Sequence, residues 1–191
     1  MNENNSPAKA SDRSQHKVHH WSGSPFEIGL RHGRALCAQI RSEYEPALRE
    51  FAQCCRQSEG QVLDGLVRHL EPIFQQYVPH AVEEIQGLAQ GSELSFPQAF
   101  FAATRDGLAF PSQNDIALDD GECTAVVCGK GTTQNGEVLI GQTKDTCAPL
   151  ERYHIMRLDY SDGRRSIVLN YPGWCANIGL TSHGLCFTGN S

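Results

Sequence analysis

The hydrophobic period of this chain changes once, at Glu122-Cys123-Thr124-Ala125-Val126-Val127. Before that point apolar residues recur at helical spacing. After it they fall in short runs bracketed by turn dipeptides. Helices first and strands second predict a layered α+β domain, because an apolar helix stripe and an apolar sheet face must each be covered by another element.

The helical half has clear punctuation. Val18-His19-His20-Trp21 reads as a short strand and Ser22-Gly23-Ser24-Pro25 as a turn. Ser24, Pro25 and Glu27 form a helix start. From there Ile28, Leu30, Leu36, Ile40, Tyr44, Leu48 and Phe51 keep one helical face. Gly29 and Gly33, four apart, predict close approach of another backbone, and His32 reads as structural packing on that face. A second helix is expected from about Gln61 to Tyr77, with Val62, Leu66, Leu70, Ile73 and Phe74 on one side. A third opens at Pro79 and stops at Gly91. A fourth runs from Ser95-Phe96-Pro97 through Leu108, followed by a polar loop over 110–121; Arg105-Asp106, at the end of this helix, reads as a surface ion pair, with a contact to that loop as the alternative.

Downstream, Asn135-Gly136, Asp162-Gly163 and His183-Gly184 each sit between two strand-like runs. Three successive hairpins predict an antiparallel meander. The organisation expected is a disordered tail over 1–18, a helical segment over 19–122 and the start of a β-rich unit over 123–191. Because Thr188-Gly189-Asn190-Ser191 directly follows a strand-like run, the sheet is expected to continue in a longer protein. This piece alone is then expected to be inactive.

Charge and cysteine usage narrow the functional classes. The net charge of −6 argues against nonspecific binding to nucleic acid or an anionic membrane. No apolar run approaches the roughly 20 residues that cross a bilayer. Met1 to His20 has no apolar core of a signal peptide, so a reducing cytoplasm is expected. Eight cysteines occur without a Cys-x-x-Cys pair, which gives little support to zinc or a disulfide framework. Most are expected to be small buried apolar residues. His19-His20 is a weak metal signal.

Cys123 opens a strand directly after a polar loop, and Asp145 closes the partner strand of its hairpin. One reading makes Cys123 a core thiol like Cys128 and Cys186. Another follows from cleaving the Glu122–Cys123 peptide bond. Cys123 then carries an α-amino group, with an ordinary pKa of about 7.7–8.0, two carbons from a thiol of about 8.5. The amine takes the thiol proton directly or through one water, so nucleophile and general base belong to one residue. The thiolate attacks an acyl carbon, and water or an amine resolves the thioester. The same thiol, attacking the Glu122 carbonyl, performs the cleavage itself.

Four stretches then resemble, in order, the isopenicillin-N acyltransferase family of N-terminal-nucleophile (Ntn) hydrolases. They are Gly23-Ser24-Pro25-Phe26-Glu27-Ile28-Gly29-Leu30-Arg31-His32-Gly33, and Pro79-His80-Ala81-Val82-Glu83-Glu84-Ile85-Gln86-Gly87-Leu88-Ala89. Next come Cys123-Thr124-Ala125 with Gly141-Gln142-Thr143-Lys144-Asp145, and finally Gly179-Leu180 with Gly184-Leu185 and Asn190. The resemblance implies an αββα sandwich and a precursor that cuts itself between Glu122 and Cys123. It implies Cys123 as nucleophile, Asp145 as the carboxylate that positions the new amine, and Asn190 near the oxyanion. Such donors contribute a few kcal/mol to a transition state. A solvated turn residue for Asp145 and a plain strand-end residue for Asn190 stay open.

The sequence departs from the pattern at Glu122, where relatives carry Gly, and at Thr143-Lys144, where they carry an Asn-aromatic pair. Thr143 is therefore a candidate substrate contact of altered character. Gln142 replaces the Arg of bile-salt hydrolases, which argues against bile salts. Tyr171 and Trp174 flank Pro172-Gly173 and are candidates either for an acyl pocket or for the core.

The substrate class is a small-molecule amide or acyl compound, with the cleaved N-terminal chain as internal partner. No metal or other cofactor is implied, although acyl-coenzyme A is admitted as a co-substrate. Absence of a nucleotide-binding fingerprint favours hydrolysis over transfer. Two other classes stand beside this one: an unprocessed, noncatalytic Ntn-like ligand-binding domain, and a cysteine/histidine metal or redox protein.

Overall fold

The computed structural model describes residues 18–105, 108, 123–143, 152–175 and 177–189. Four helices and seven strands lie among them, in the order β1 (Val18–Gly23), α1 (Pro25–Cys55), α2 (Glu59–Tyr77), α3 (Pro79–Ser92), α4 (Phe96–Thr104), β2 (Ala125–Cys128), β3 (Leu139–Gln142), β4 (His154–Tyr160), β5 (Arg165–Asn170), β6 (Ile178–Thr181) and β7 (Cys186–Phe187).

Capping explains where three helices begin. The Ser24 hydroxyl accepts from the Glu27 backbone N–H at 3.2 Å, while the Glu27 carboxylate accepts from Ser24 N–H at 2.8 Å. Ser58 with Gln61, and Ser95 with Gln98, repeat this reciprocal pair. Gln98 also donates to the Tyr44 hydroxyl at 2.8 Å, which ties α4 to α1. Arg56 and Glu93 stop α1 and α3 in the left-handed region, at φ 54° and 58°. The third helix therefore passes the expected stop at Gly91, and α4 ends at Thr104, short of Leu108.

Gly91 instead belongs to a helix crossing. A Cβ on Gly29 would lie 1.9 Å from the Glu84 carbonyl oxygen, and one on Gly87 would lie 1.9 Å from that of Phe26. Gly33 and Gly91 meet backbone of the facing helix at 2.6 and 2.3 Å in the same sense. The close approach expected of Gly29 and Gly33 is thus a reciprocal four-glycine contact between α1 and α3.

The helices cover one face of a five-stranded sheet of order β1-β4-β5-β6-β7. Ile28, Leu36, Ile40, Ile85, Leu88, Phe100 and Phe101 meet Trp21, Met156, Leu158 and Val168 in one buried cluster. Burying each large apolar side chain stabilises the fold by about 1.5–3 kcal/mol before entropy is counted. On the other face Ile167 and Leu180, 44% and 50% exposed, are uncovered.

The expected single meander of three hairpins is corrected in two ways. β1 lies parallel to β4, pairing Val18 with Ile155 through Gly23 with Tyr160. That occupies the β4 edge a continuous meander would give to β3, and β2 with β3 forms a separate two-stranded sheet. The other two hairpins pair as expected, with Met156 opposite Val168 and Gly179 opposite Phe187. The seven described cysteines are half-buried as residues, and of these the Cys175 thiol is shifted by its own burial. None of the described helices is long and apolar enough to cross a membrane.

Candidate active site

Around Cys123 the local geometry follows from the first hairpin. Its strands are joined by residues 129–138 rather than by a tight turn at the expected Asn135-Gly136; within that connection Gly136 takes φ 70° and Asn135 donates from its side-chain amide to Glu137 at 2.7 Å. The strands then run in register from Cys128–Leu139 to Ala125–Gln142. Pairing continues one step further. Thr143 N–H donates to the Thr124 carbonyl at 2.8 Å, and Thr124 N–H donates to the Thr143 hydroxyl at 3.1 Å. Cys123, half-buried, is the residue directly before this last pair. Thr143 is exposed beside it in the pairing.

Gln142 links the hairpin to the larger sheet. Gly189 N–H donates to its side-chain oxygen at 3.2 Å, and its amide nitrogen donates to the Gly189 carbonyl. The strand following the Cys123 segment is thereby joined to the residue preceding Asn190. Glu122, Asp145 and Asn190 lie outside the described residues.

Tyr171 and Trp174 are both buried, each 8% exposed, and share a cluster with Tyr153. Tyr171 contacts the Tyr153 hydroxyl through its own, and its ring lies tilted against Trp174 with centroids 4.6 Å apart. Gly173, at φ 87°, turns the chain between them. Asn170 donates to the Trp174 carbonyl at 2.6 Å. The indole N–H of Trp174 is buried without a hydrogen-bond partner among the described residues.

His32 pins this loop to α1. Its Nε2 accepts from Gly173 N–H at 3.1 Å, and its ring stacks on Trp21 at 5.2 Å. Burial, reinforced by His154 and His19, holds the imidazole neutral with a pKa of about 3. His32 thus serves packing and hydrogen bonding, as expected. Arg105 corrects an expectation. Its guanidinium is not a surface group but pairs with the enclosed Glu43 carboxylate at 3.1 Å and lies 6.0 Å from the Trp174 ring. Asp106 lies outside the described residues.

Between α3 and the sheet lies a cavity of about 470 Å³, with Glu84, Leu158, Tyr160, Cys175, Leu185 and Phe187 in its wall. Burial raises the Glu84 carboxyl to about 7, against the opposing pull of the Tyr160 hydroxyl, which donates to it at 3.0 Å. Tyr160 and Cys175 are likewise pushed up by burial, with Glu84 adding to both. The signal was present: Glu84 sits at helical spacing with Gly87, Leu88 and Gly91, an acidic residue on an otherwise small and apolar stripe. No residue of β2 or β3 lines this cavity. Among the described residues no group of three or more His, Cys, Asp or Glu is placed to hold a metal ion.

No family model matches the chain. Over 170 residues, 88% of its length, it is 28% identical to the 40 kDa form of acyl-coenzyme A:6-aminopenicillanic-acid-acyltransferase from Emericella nidulans. The chain spans 45% of that relative's length. The protein it is similar to is an acyltransferase, of the activity class that the motifs around Gly23, Pro79 and Cys123 imply.

Proposed function

We propose that this chain carries the nucleophile of a self-processing amidohydrolase or acyltransferase, with Cys123 as the attacking residue. The observation that carries the reading is the Thr124–Thr143 pairing, which leaves Cys123 half-buried at the mouth of a hairpin. From Thr143 the chain needs two more residues to reach Asp145. Similarity to an acyltransferase over 88% of the chain supports acyl chemistry in general.

Self-cleavage proceeds in two balanced steps. The Cys123 sulfur adds to the Glu122 carbonyl carbon, the peptide C–N bond breaks, and the leaving nitrogen takes a proton to become the α-amine. Water then hydrolyses the resulting thioester, leaving Glu122 with a carboxylate and Cys123 with its thiol. In turnover that amine accepts the thiol proton as the sulfur attacks the substrate acyl carbon, and returns it to the departing amine. Asp145 orients the α-ammonium and Asn190 donates to the oxyanion. Water as acceptor gives hydrolysis; an amine acceptor with an acyl-coenzyme A donor gives transfer. Tyr171 and Trp174 supply apolar wall to the acyl group, with the indole N–H as a donor that has no partner among the described residues.

The αββα sandwich accounts for two features together. One sheet face is covered by helices while Ile167 and Leu180 on the other are open. The β2–β3 hairpin exposes Val126, Val127, Leu139 and Ile140, which a second sheet layer would use. After cleavage the N-terminal chain stays bound, because β1 hydrogen-bonds along β4 and α1 shares a core with Met156, Leu158 and Val168.

Intact-mass analysis of the protein purified under native conditions tests this. Fragments ending at Glu122 and starting at Cys123 are expected. Cys123→Ala abolishes the split, and Cys123→Ser retains part of it. A single uncleaved mass contradicts the proposal and favours an unprocessed binding domain.

A further inference from the structure

We propose that Gln142 is a positioning residue of the Cys123 site: its carboxamide clasps the backbone of Gly189 and holds the segment leading to Asn190 against β3, the strand paired with the one that Cys123 opens. This rests on the reading of Cys123 as nucleophile. Gln142 forms the last regular pair of its hairpin, opposite Ala125, two residues from Cys123. Its side-chain oxygen accepts from Gly189 N–H at 3.2 Å while its side-chain nitrogen donates to the Gly189 carbonyl. The two partners are 47 residues apart in sequence, so no local turn dictates the contact.

A primary carboxamide presents one acceptor and one donor edge, the same complement as a peptide unit. Gln142 thus adds a side-chain rung to a sheet ladder, between two sheets that are otherwise separate in their backbone pairing. Both bonds specify the residue type. An ionised Glu accepts but cannot donate and would set an oxygen against the Gly189 carbonyl. Lys and Arg donate but cannot accept. Met keeps the length and loses both bonds. Reacting groups tolerate little misplacement: a shift on the order of 1 Å can cost about 100-fold in rate.

The test compares wild type, Gln142→Met and Gln142→Glu. Self-cleavage rate is followed by intact mass across pH. Amide hydrogen exchange at Gly189 is followed in a Cys123→Ala background, and urea midpoints report the fold. Gln142→Met is expected to slow cleavage about tenfold or more, to speed exchange at Gly189, and to keep a midpoint near wild type. Gln142→Glu is expected to be slow at neutral pH, with its rate relative to wild type recovering as pH falls toward about 4, because a protonated carboxyl donates as the carboxamide does. A residue serving the fold alone would lower the midpoint and give a ratio independent of pH.

The proposal is overturned if Gln142→Met cleaves at the wild-type rate, if exchange at Gly189 is unchanged, or if the Gln142→Glu ratio is flat with pH. A wild-type protein that does not cleave sinks the reading of Cys123 and the positioning role with it. The exchange experiment then still reports whether the clasp itself exists.

Discussion

Gly87→Ala tests whether the α1–α3 crossing organises the helical layer. In an ordinary exposed helix this substitution stabilises by about 0.5–1 kcal/mol, because Gly loses more backbone freedom on folding. At Gly87 the new Cβ would lie 1.9 Å from the Phe26 carbonyl oxygen and 2.8 Å from Leu30 N. Both obstacles are backbone, so no rotamer change relieves them. Ordinary contact begins near 3.4 Å, so from 1.9 Å the helices must separate locally by roughly 1.5 Å. Separation also loosens the contacts at Gly29, Gly33 and Gly91, and with them the packing of Ile28, Ile85 and Leu88. Overpacking of this kind outweighs the entropic gain, and a net loss of about 2–4 kcal/mol is expected. Gly65→Ala in α2 is the control, since nothing lies within 4 Å of its added Cβ. It is expected to gain about 0.5–1 kcal/mol. Urea unfolding followed by circular dichroism measures both through the midpoint at constant slope. Equal or greater stability for Gly87→Ala than for Gly65→Ala would refute the crossing as described.

Glu84 should impose a pH slope on stability. Its folded pKa, raised from 4.5 to about 7, means that the native state holds a proton the unfolded chain releases. Its contribution is present below about 4.5 and is lost as pH rises to about 7, a change on the order of 3 kcal/mol. Glu84→Gln removes that decline, measured as the difference from wild type in urea midpoints at several pH values; an unchanged slope would place the carboxyl in a wetter environment. His32, lowered from 6.5 to about 3, acts with the opposite sign, so in Glu84→Gln stability should fall as pH drops below about 6.5. Ser24→Ala removes the α1 cap and is expected to cost about 1 kcal/mol by thermal unfolding, with no loss if the first turn is held by packing alone. After self-cleavage the two fragments should co-elute in native size exclusion and part in urea, since β1 pairs with β4 across the cut; separation without denaturant would contradict that pairing.

What could be read from residues alone divides by sequence distance. The Ser24-Glu27 cap, the Asp162-Gly163 and His183-Gly184 turns and the Gly29/Gly33 spacing are local signals, and each became the element it foretold. The parallel pairing of β1 with β4 joins Val18 to Ile155, and no period within either strand encodes it. Nor did the surface-like pattern of Arg105 reveal that Glu43, 62 residues earlier, would enclose it in an ion pair. Of the site, the pairing of the two strands after Cys123 was legible from their apolar runs, but the connection between them is the longer stretch 129–138 rather than a tight Asn135-Gly136 turn, and the Gln142–Gly189 clasp depends on two segments meeting across 47 residues. Glu84 was written into the sequence as an acid on an apolar stripe, but only the sheet packed above it turns that into a buried carboxyl beside a cavity.

The proposed chemistry turns on one atom pair, a thiol and an α-amine on the same residue. 2-Cyanobenzothiazole condenses with such a 1,2-aminothiol and not with an internal cysteine, and the chain holds eight cysteines among which to discriminate. Peptide mapping after labelling under native conditions should find a stable thiazoline at Cys123 alone. Labelling absent at Cys123 in folded protein, while simple alkylation shows the thiol to be reachable, would contradict the account.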